Sequence, residues 1–129
     1  MNNEIQILNL HKYFIRANRM RDLFDKLCKE YNSEKINKQR FDIETEIYMA
    51  LWYGLLYVVI EGWERLNLKD EKIDKLLKSN NVKLLKNYRN GIFHFQKEYY
   101  SEKHIRFITE GNNSVSWVRE LNSQFGHFF

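Results

Sequence analysis

The chain is predicted to be all-α, a single-domain antiparallel bundle of four to five helices, and three observations point that way. Its 129 residues include no proline and only 5 glycines, so the breakers that a turn-rich β fold needs are scarce. Apolar residues recur at steps of three and four over long stretches, which is the spacing of one helical face. Hydrophobic residues make up 43% and aromatic residues 16%, enough to fill one continuous core in a chain of single-domain length. Residues 1–129 are therefore read as one helical domain.

The first helix is expected over Glu4 to Tyr31. Leu10, Phe14, Ala17, Met20, Phe24, Leu27 and Tyr31 form its apolar stripe, and charged residues fill the positions between them. Asn32 and Ser33 break the pattern and can cap the next helix. Charged Glu34 to Arg40 suit the exposed first turns of that second helix, continued by Phe41 to Leu66 as the centre of the domain. Asn67 to Asp70 reads as a turn, with Asp70 placed to cap a short helix whose apolar positions are Ile73, Leu76 and Leu77. Ser79, Asn80 and Asn81 interrupt again, and Val82, Leu85, Tyr88, Ile92 and Phe95 define the stripe of a further helix. Tyr99 to Thr109 suits a short helix or an extended segment equally. Gly111 to Ser114 is the clearest loop. A last helix, with Val115, Val118, Leu121 and Phe125 on one face, should end around Gly126.

The formal net charge is +4 and the pI is near 9.1, which permits a polyanionic partner without demanding one, because acidic and basic residues are interspersed. Cys28 is the only cysteine. An intramolecular disulfide and a cysteine-based zinc site are thereby excluded, and Cys28 is expected to be a buried small apolar residue. Met1 to Ile5 lacks the basic region and apolar block of a secretory signal. The longest apolar run, Ile47 to Ile60, falls short of the ~20 residues of a membrane span. A cytoplasmic protein without membrane contact is expected.

Chemistry concentrates in Leu84 to Phe95, where Arg89, Asn90 and His94 share one predicted helix. Asn90 and His94 are four apart and so fall on one helical face, while Arg89 and His94 are separated by roughly 140° around the axis. A long Arg side chain can still bend towards a ligand near His94, or the two groups can meet across a pair of protomers. Gly91, in mid-helix, should cost about 1 kcal/mol relative to Ala, and close approach of another helix or a ligand would offset that. The residue types suit a phosphodiester. Arginine presents a planar fork of donors to phosphate oxygens, histidine passes protons near neutral pH, and asparagine orients either the imidazole or the substrate. With RNA, the substrate's own 2′-hydroxyl is the nucleophile. The bland alternative is capping and hydrogen bonding on a half-buried helix.

Arg89-Asn90-Gly91-Ile92-Phe93-His94 resembles the signature of the HEPN superfamily: an Arg, a polar residue, three variable positions and a His. The specific match spans these six residues, and the helical layout agrees over most of the chain. The resemblance implies a small all-helical domain, dimeric in many members, that acts as a metal-independent ribonuclease in toxin–antitoxin, anti-phage or RNA-processing systems. It implies that the motif helices of two protomers face each other across a composite cleft. Arg89 would hold the scissile phosphate, His94 would transfer protons, Asn90 would support them, and the products would carry a cyclic phosphate and a free 5′-hydroxyl. Some toxins of the superfamily carry a Tyr two positions after the His, where a nucleotidyltransferase modifies them; Gln96 stands there in this chain.

Several further residues merit notice. Glu61 and Glu64 can pair locally, and Glu61 can face the motif helix to orient Arg89 or His94. Lys86 and Lys97, with Lys83 and the rings of Tyr88 and Phe93, can form a basic patch for single-stranded RNA; the commoner outcome for such residues is a solvated face over core rings. His11, His104 and His127 lack metal-ligand spacing, so neither metal nor cofactor is expected. The function expected is a dimeric, metal-independent endoribonuclease with RNA as substrate and an antitoxin protein as its natural opponent. The alternative is a catalytically silent helical module that dimerises and binds a protein or nucleotide.

Overall fold

A computed structural model describes residues 2–97, 102–111 and 113–129, with side chains for all of these except Asn2 and His104. Six helices are present among the described residues: α1 (Asn2–Asn32), α2 (Lys38–Arg65), α3 (Glu71–Leu76), α4 (Asn81–Phe93), α5 (Glu102–Glu110) and α6 (Ser114–Phe128). The fold class is the expected all-α bundle. The count exceeds four to five because α5, in the stretch that suited a helix or an extended segment equally, is helical as well as the expected short α3.

Helices α1 and α2 form the frame. Phe41 stacks on Tyr31 beside the connecting turn, Trp52 lies against Phe24, and Leu10 abuts Gly62. One chain position rises as the other falls, so the two helices run antiparallel. Asn37 caps α2 by accepting from the Arg40 N–H at 2.8 Å, which starts the helix after the charged Glu34–Lys35 pair expected in its first turn. Glu34 instead takes a left-handed φ of 59° that closes the turn.

Buried along α2 are Trp52, Tyr53, Leu56, Val59, Ile60 and Trp63. The expectation that its apolar run is too short to span a membrane does not extend to the whole helix. With 28 residues, α2 is long and apolar enough to cross one by length and composition, a test that core helices of soluble proteins also pass.

At the end of α2 a polar clasp sets the next turn. Asp70 caps α3 by accepting from the Ile73 N–H, while Asp74 accepts from the Asp70 N–H and from the Trp63 indole N–H. Helix α4 packs on α2 and on α5, and Phe107 of α5 fills the space between Tyr53, Tyr88 and Trp117. Residues 99–101 of the ambiguous stretch lie outside the described residues, and the remainder is helical.

Helix α6 runs two residues beyond the expected stop at Gly126. Phe125 and Phe128 both pack on Trp63, and Phe129 stacks on Phe14 and His11. Its core face is Trp117, Val118, Leu121, Asn122 and Phe125, whereas Val115 is exposed. Ser114, expected in a loop, is buried at the helix start. Cys28 is only half-buried, and burial pushes its thiol upward.

Candidate functional site

Arg89 sits on the last turns of α4, where that helix crosses α2. Its Nη1–H donates to Glu61 Oε1 at 2.9 Å and its Nε–H donates to Asn90 Oδ1 at 3.0 Å. The guanidinium lies over the Tyr57 ring at 4.9 Å from the centroid. Tyr57 and Glu61 are four apart on α2, so one face of that helix supplies both the stacking ring and the carboxylate. The Arg89 side chain is 21% exposed and that of Glu61 40%, so the pair is partly desolvated and worth on the order of 1 kcal/mol with its cation–π contact. Burial, with Glu61 and Glu64, raises the Tyr57 phenol above its ordinary value, which keeps it protonated beside the guanidinium.

Close approach of the helices is set by Gly54. A Cβ there would lie 2.8 Å from Cε2 of Phe93 and 3.9 Å from Cγ of Arg89. The absent side chain lets the end of α4 rest directly on α2. Gly91 is buried in the last turn of α4 rather than at mid-helix, where its backbone freedom costs less.

His94 departs from expectation. It is the residue after the helix, extended at φ −122° and ψ 133°, and its N–H donates to the Asn90 carbonyl at 3.1 Å. The shared helical face of Asn90 and His94, and the angle between Arg89 and His94, therefore do not apply. The physical reason lies in the sequence around it. Ile92, Phe93 and His94 are weak helix formers following a glycine. Phe95, expected on the core stripe, is 92% exposed and provides no packing to hold another turn. The Gln96 amide instead donates to the His94 carbonyl at 2.9 Å, and the imidazole is left exposed.

The basic patch is only partly assembled. Lys83, Lys86 and Lys97 are exposed, but Tyr88 is 2% exposed and packed on Tyr53 and Phe107. Tyr88 belongs to the core and offers no stacking face; burial raises its phenol well above the ordinary range. The rings that do remain accessible are Phe93 and Phe95. On its other side Glu61 lines an open cleft of about 340 Å³ between α1 and α2, together with Gln6, Asn9, Tyr13 and Arg65.

The structure thus brings Arg89, Asn90 and Glu61 together, leaves His94 free at the helix end, and keeps Lys86 and Lys97 on the surface. Tyr57 and Gly54 were not singled out from sequence. The four-residue step from Tyr57 to Glu61 was the available signal. Among the described residues no group of three or more His, Cys, Asp and Glu is arranged to hold a metal ion.

Chemically the arrangement is a half-buried cation with donors to spare, on a helix whose end carries an exposed imidazole five residues on. Of a guanidinium's several N–H donors, Arg89 spends one on Glu61 and one on Asn90. Comparison of the chain with protein-family models, with curated proteins and with solved structures returned no match.

Proposed function

We propose that this protein is a HEPN-type, metal-independent endoribonuclease that acts as a cytoplasmic homodimer, in a toxin or anti-phage role, with an antitoxin protein as its opponent. The observation that carries the reading is Arg89. It is pre-oriented by Glu61, Asn90 and Tyr57, retains unspent donors, and lies close in sequence to an exposed His94 at an open helix end.

In this reading Arg89 binds the scissile phosphate and stabilises the charge that builds on its oxygens. The 2′-hydroxyl of the RNA attacks phosphorus, the bond from its oxygen to phosphorus forms, and the bond to the 5′-oxygen breaks. One proton leaves the 2′-hydroxyl and one reaches the 5′-oxygen. His94 from each of two copies can serve as base and as acid. The exposed rings of Phe93 and Phe95 lie next to His94 in the chain and give a second copy an apolar surface to cover.

One observation favours the alternative, a silent binding module. Arg89 is already engaged by Glu61, and an Arg so engaged can serve architecture alone. Incubation of the protein with mixed RNA in EDTA separates the two. The ribonuclease reading expects cleavage with cyclic phosphate and 5′-hydroxyl ends. Intact RNA at high enzyme concentration favours the module.

A further inference from the structure

A second arginine cluster lies on the face formed by α1 and α6. Arg119 donates through Nη2–H to Asp25 Oδ1 at 2.8 Å and through Nη1–H to Oδ2 at 3.4 Å. Arg21 donates through Nη1–H to Asp25 Oδ2 at 2.8 Å and through Nε–H to Asn18 Oδ1 at 2.9 Å. A single carboxylate is thus shared by two guanidiniums, so the cluster carries a surplus positive charge.

Behind the cluster is an amide relay that fixes its shape. The Asn122 amide donates to Asn18 Oδ1 at 3.1 Å, and Asn122 Oδ1 accepts from the Trp52 indole N–H at 3.0 Å. Asn122 is 4% exposed, so its position is set by the core. Arg119 lies over the Trp52 ring at 5.3 Å.

In front of the relay is an open pocket of about 440 Å³, lined by Arg21, Arg119, Asn18, Asn122 and Ser123, with Gly126 and Phe14 at its edge. Both charged residues of its lining are arginines, because Asp25 is not among the lining residues. Each guanidinium keeps N–H donors with no partner among the described residues. Two guanidiniums lining one polar hollow, each with N–H donors left over, fit a tetrahedral oxyanion, which takes strong hydrogen bonds from arginine.

We propose that this pocket is a phosphoryl-binding site, separate from the Arg89 cluster, in which Arg21 and Arg119 bind the phosphate oxygens and Asn18, Asn122 and Ser123 surround them. The phosphate can come from a polynucleotide backbone or from a small free anion, and the chemistry of the pocket is the same for both.

The test is a nitrogen–proton NMR titration of the whole protein with inorganic phosphate, and separately with oligouridylate, at low salt. Saturable shifts at the Asn18 and Asn122 side-chain amides and at Ser123 are expected. Ser123→Asp places a carboxylate in the pocket without touching the arginines or the relay. It should weaken binding, read at the Asn18 and Asn122 side-chain amides, at least about tenfold, as should Arg119→Gln. Tighter binding of oligouridylate than of phosphate, lost in Ser123→Asp, identifies a backbone site. Equal binding of the two identifies a small-anion site. No saturable shift with either probe, or shifts that Ser123→Asp leaves intact, overturns the proposal. Because binding is read at the pocket's own Asn18, Asn122 and Ser123 signals and the ribonuclease reading by RNA cleavage, failure of either is distinguishable from failure of the other.

Discussion

Arg89 lies over the Tyr57 ring at 4.9 Å and Arg119 lies over the Trp52 ring at 5.3 Å, with both rings on α2 and a carboxylate engaging each cation. Their surroundings differ. Around Arg119 the second layer is polar and interlinked: Asp25 is shared with Arg21, and an amide relay runs through Asn18 and the buried Asn122 to Trp52. At the Arg89 end of α4 the helix stops, the imidazole of His94 is exposed, Phe93 is half-exposed and Phe95 is exposed. The same cation–ring–carboxylate pairing is held by more neighbouring groups at Arg119 than at Arg89. On the readings proposed above, that contrast assigns the reactive role to the α4 end and a binding role to the α1–α6 face.

Stability measurements can separate the two arginines. Asn122→Ala strands the Trp52 N–H and removes a partner of Asn18, so it should cost about 2–3 kcal/mol in chemical denaturation. Arg89→Ala frees a Glu61 carboxylate that is already 40% exposed and should cost about 1 kcal/mol. A larger loss for Arg89→Ala than for Asn122→Ala would make Arg89 an architectural residue and favour the silent module.

A smaller difference is expected between two glycines of α2. A Cβ at Gly62 would collide with Leu10, a core residue that is 5% exposed, so Gly62→Ala should cost about 1–3 kcal/mol by overpacking. A Cβ at Gly54 would crowd the ring of Phe93, which is half-exposed and at a helix end, and would only touch Arg89 Cγ. The ring can swing away, and the cost should stay below about 1 kcal/mol because alanine also favours the helix. Thermal melts of the two variants check this ordering, which fails if Gly54→Ala is the more damaging.

The smallest effect concerns acid. Burial would raise the Asp25 carboxyl, but the hydrogen bonds and charges of Arg119 and Arg21 outweigh it and hold the group below its usual range. A depressed folded value means that its stabilisation is present above the unfolded value near 3.8 and is lost as pH falls through the lower folded value. Asp25→Asn should therefore flatten that part of the acid limb, by less than about 1 kcal/mol for a surface-near pair. An acid limb that superposes on wild type would show that Asp25 contributes nothing to acid stability.

Much of this was legible in the chain. The stripes of α1 and of the central helix, the Asp70 cap and the existence of α4 all come from local periodicity and turn chemistry, which short windows carry. What escaped depended on contacts distant in sequence. Tyr88 and Phe95 sit at similar positions of one apparent stripe, yet Tyr88 is enclosed by Tyr53 and Phe107 while Phe95 projects beyond the last turn. Gly126 reads as a stop, but docking of Phe128 and Phe129 on Trp63 and Phe14 carries α6 past it. Of the candidate site, the Glu61–Arg89 contact was anticipated as one option. The extended backbone at His94 was not, because the weak helix formers after Gly91 leave the outcome to packing that the exposed Phe95 does not supply. The Arg21–Asp25–Arg119 cluster joins residues 94 apart in sequence, and no local pattern announces it.

The ribonuclease reading stands or falls on RNA cleavage by wild type and His94→Ala, purified alike, in EDTA. An exposed His at a helix end supports little packing, so the variant should melt with the wild type. Its cleavage rate should fall at least about 100-fold, the contribution expected of a lost acid–base group. Cleavage by His94→Ala at the wild-type rate would rule out His94 as the proton-transfer group and the mechanism with it.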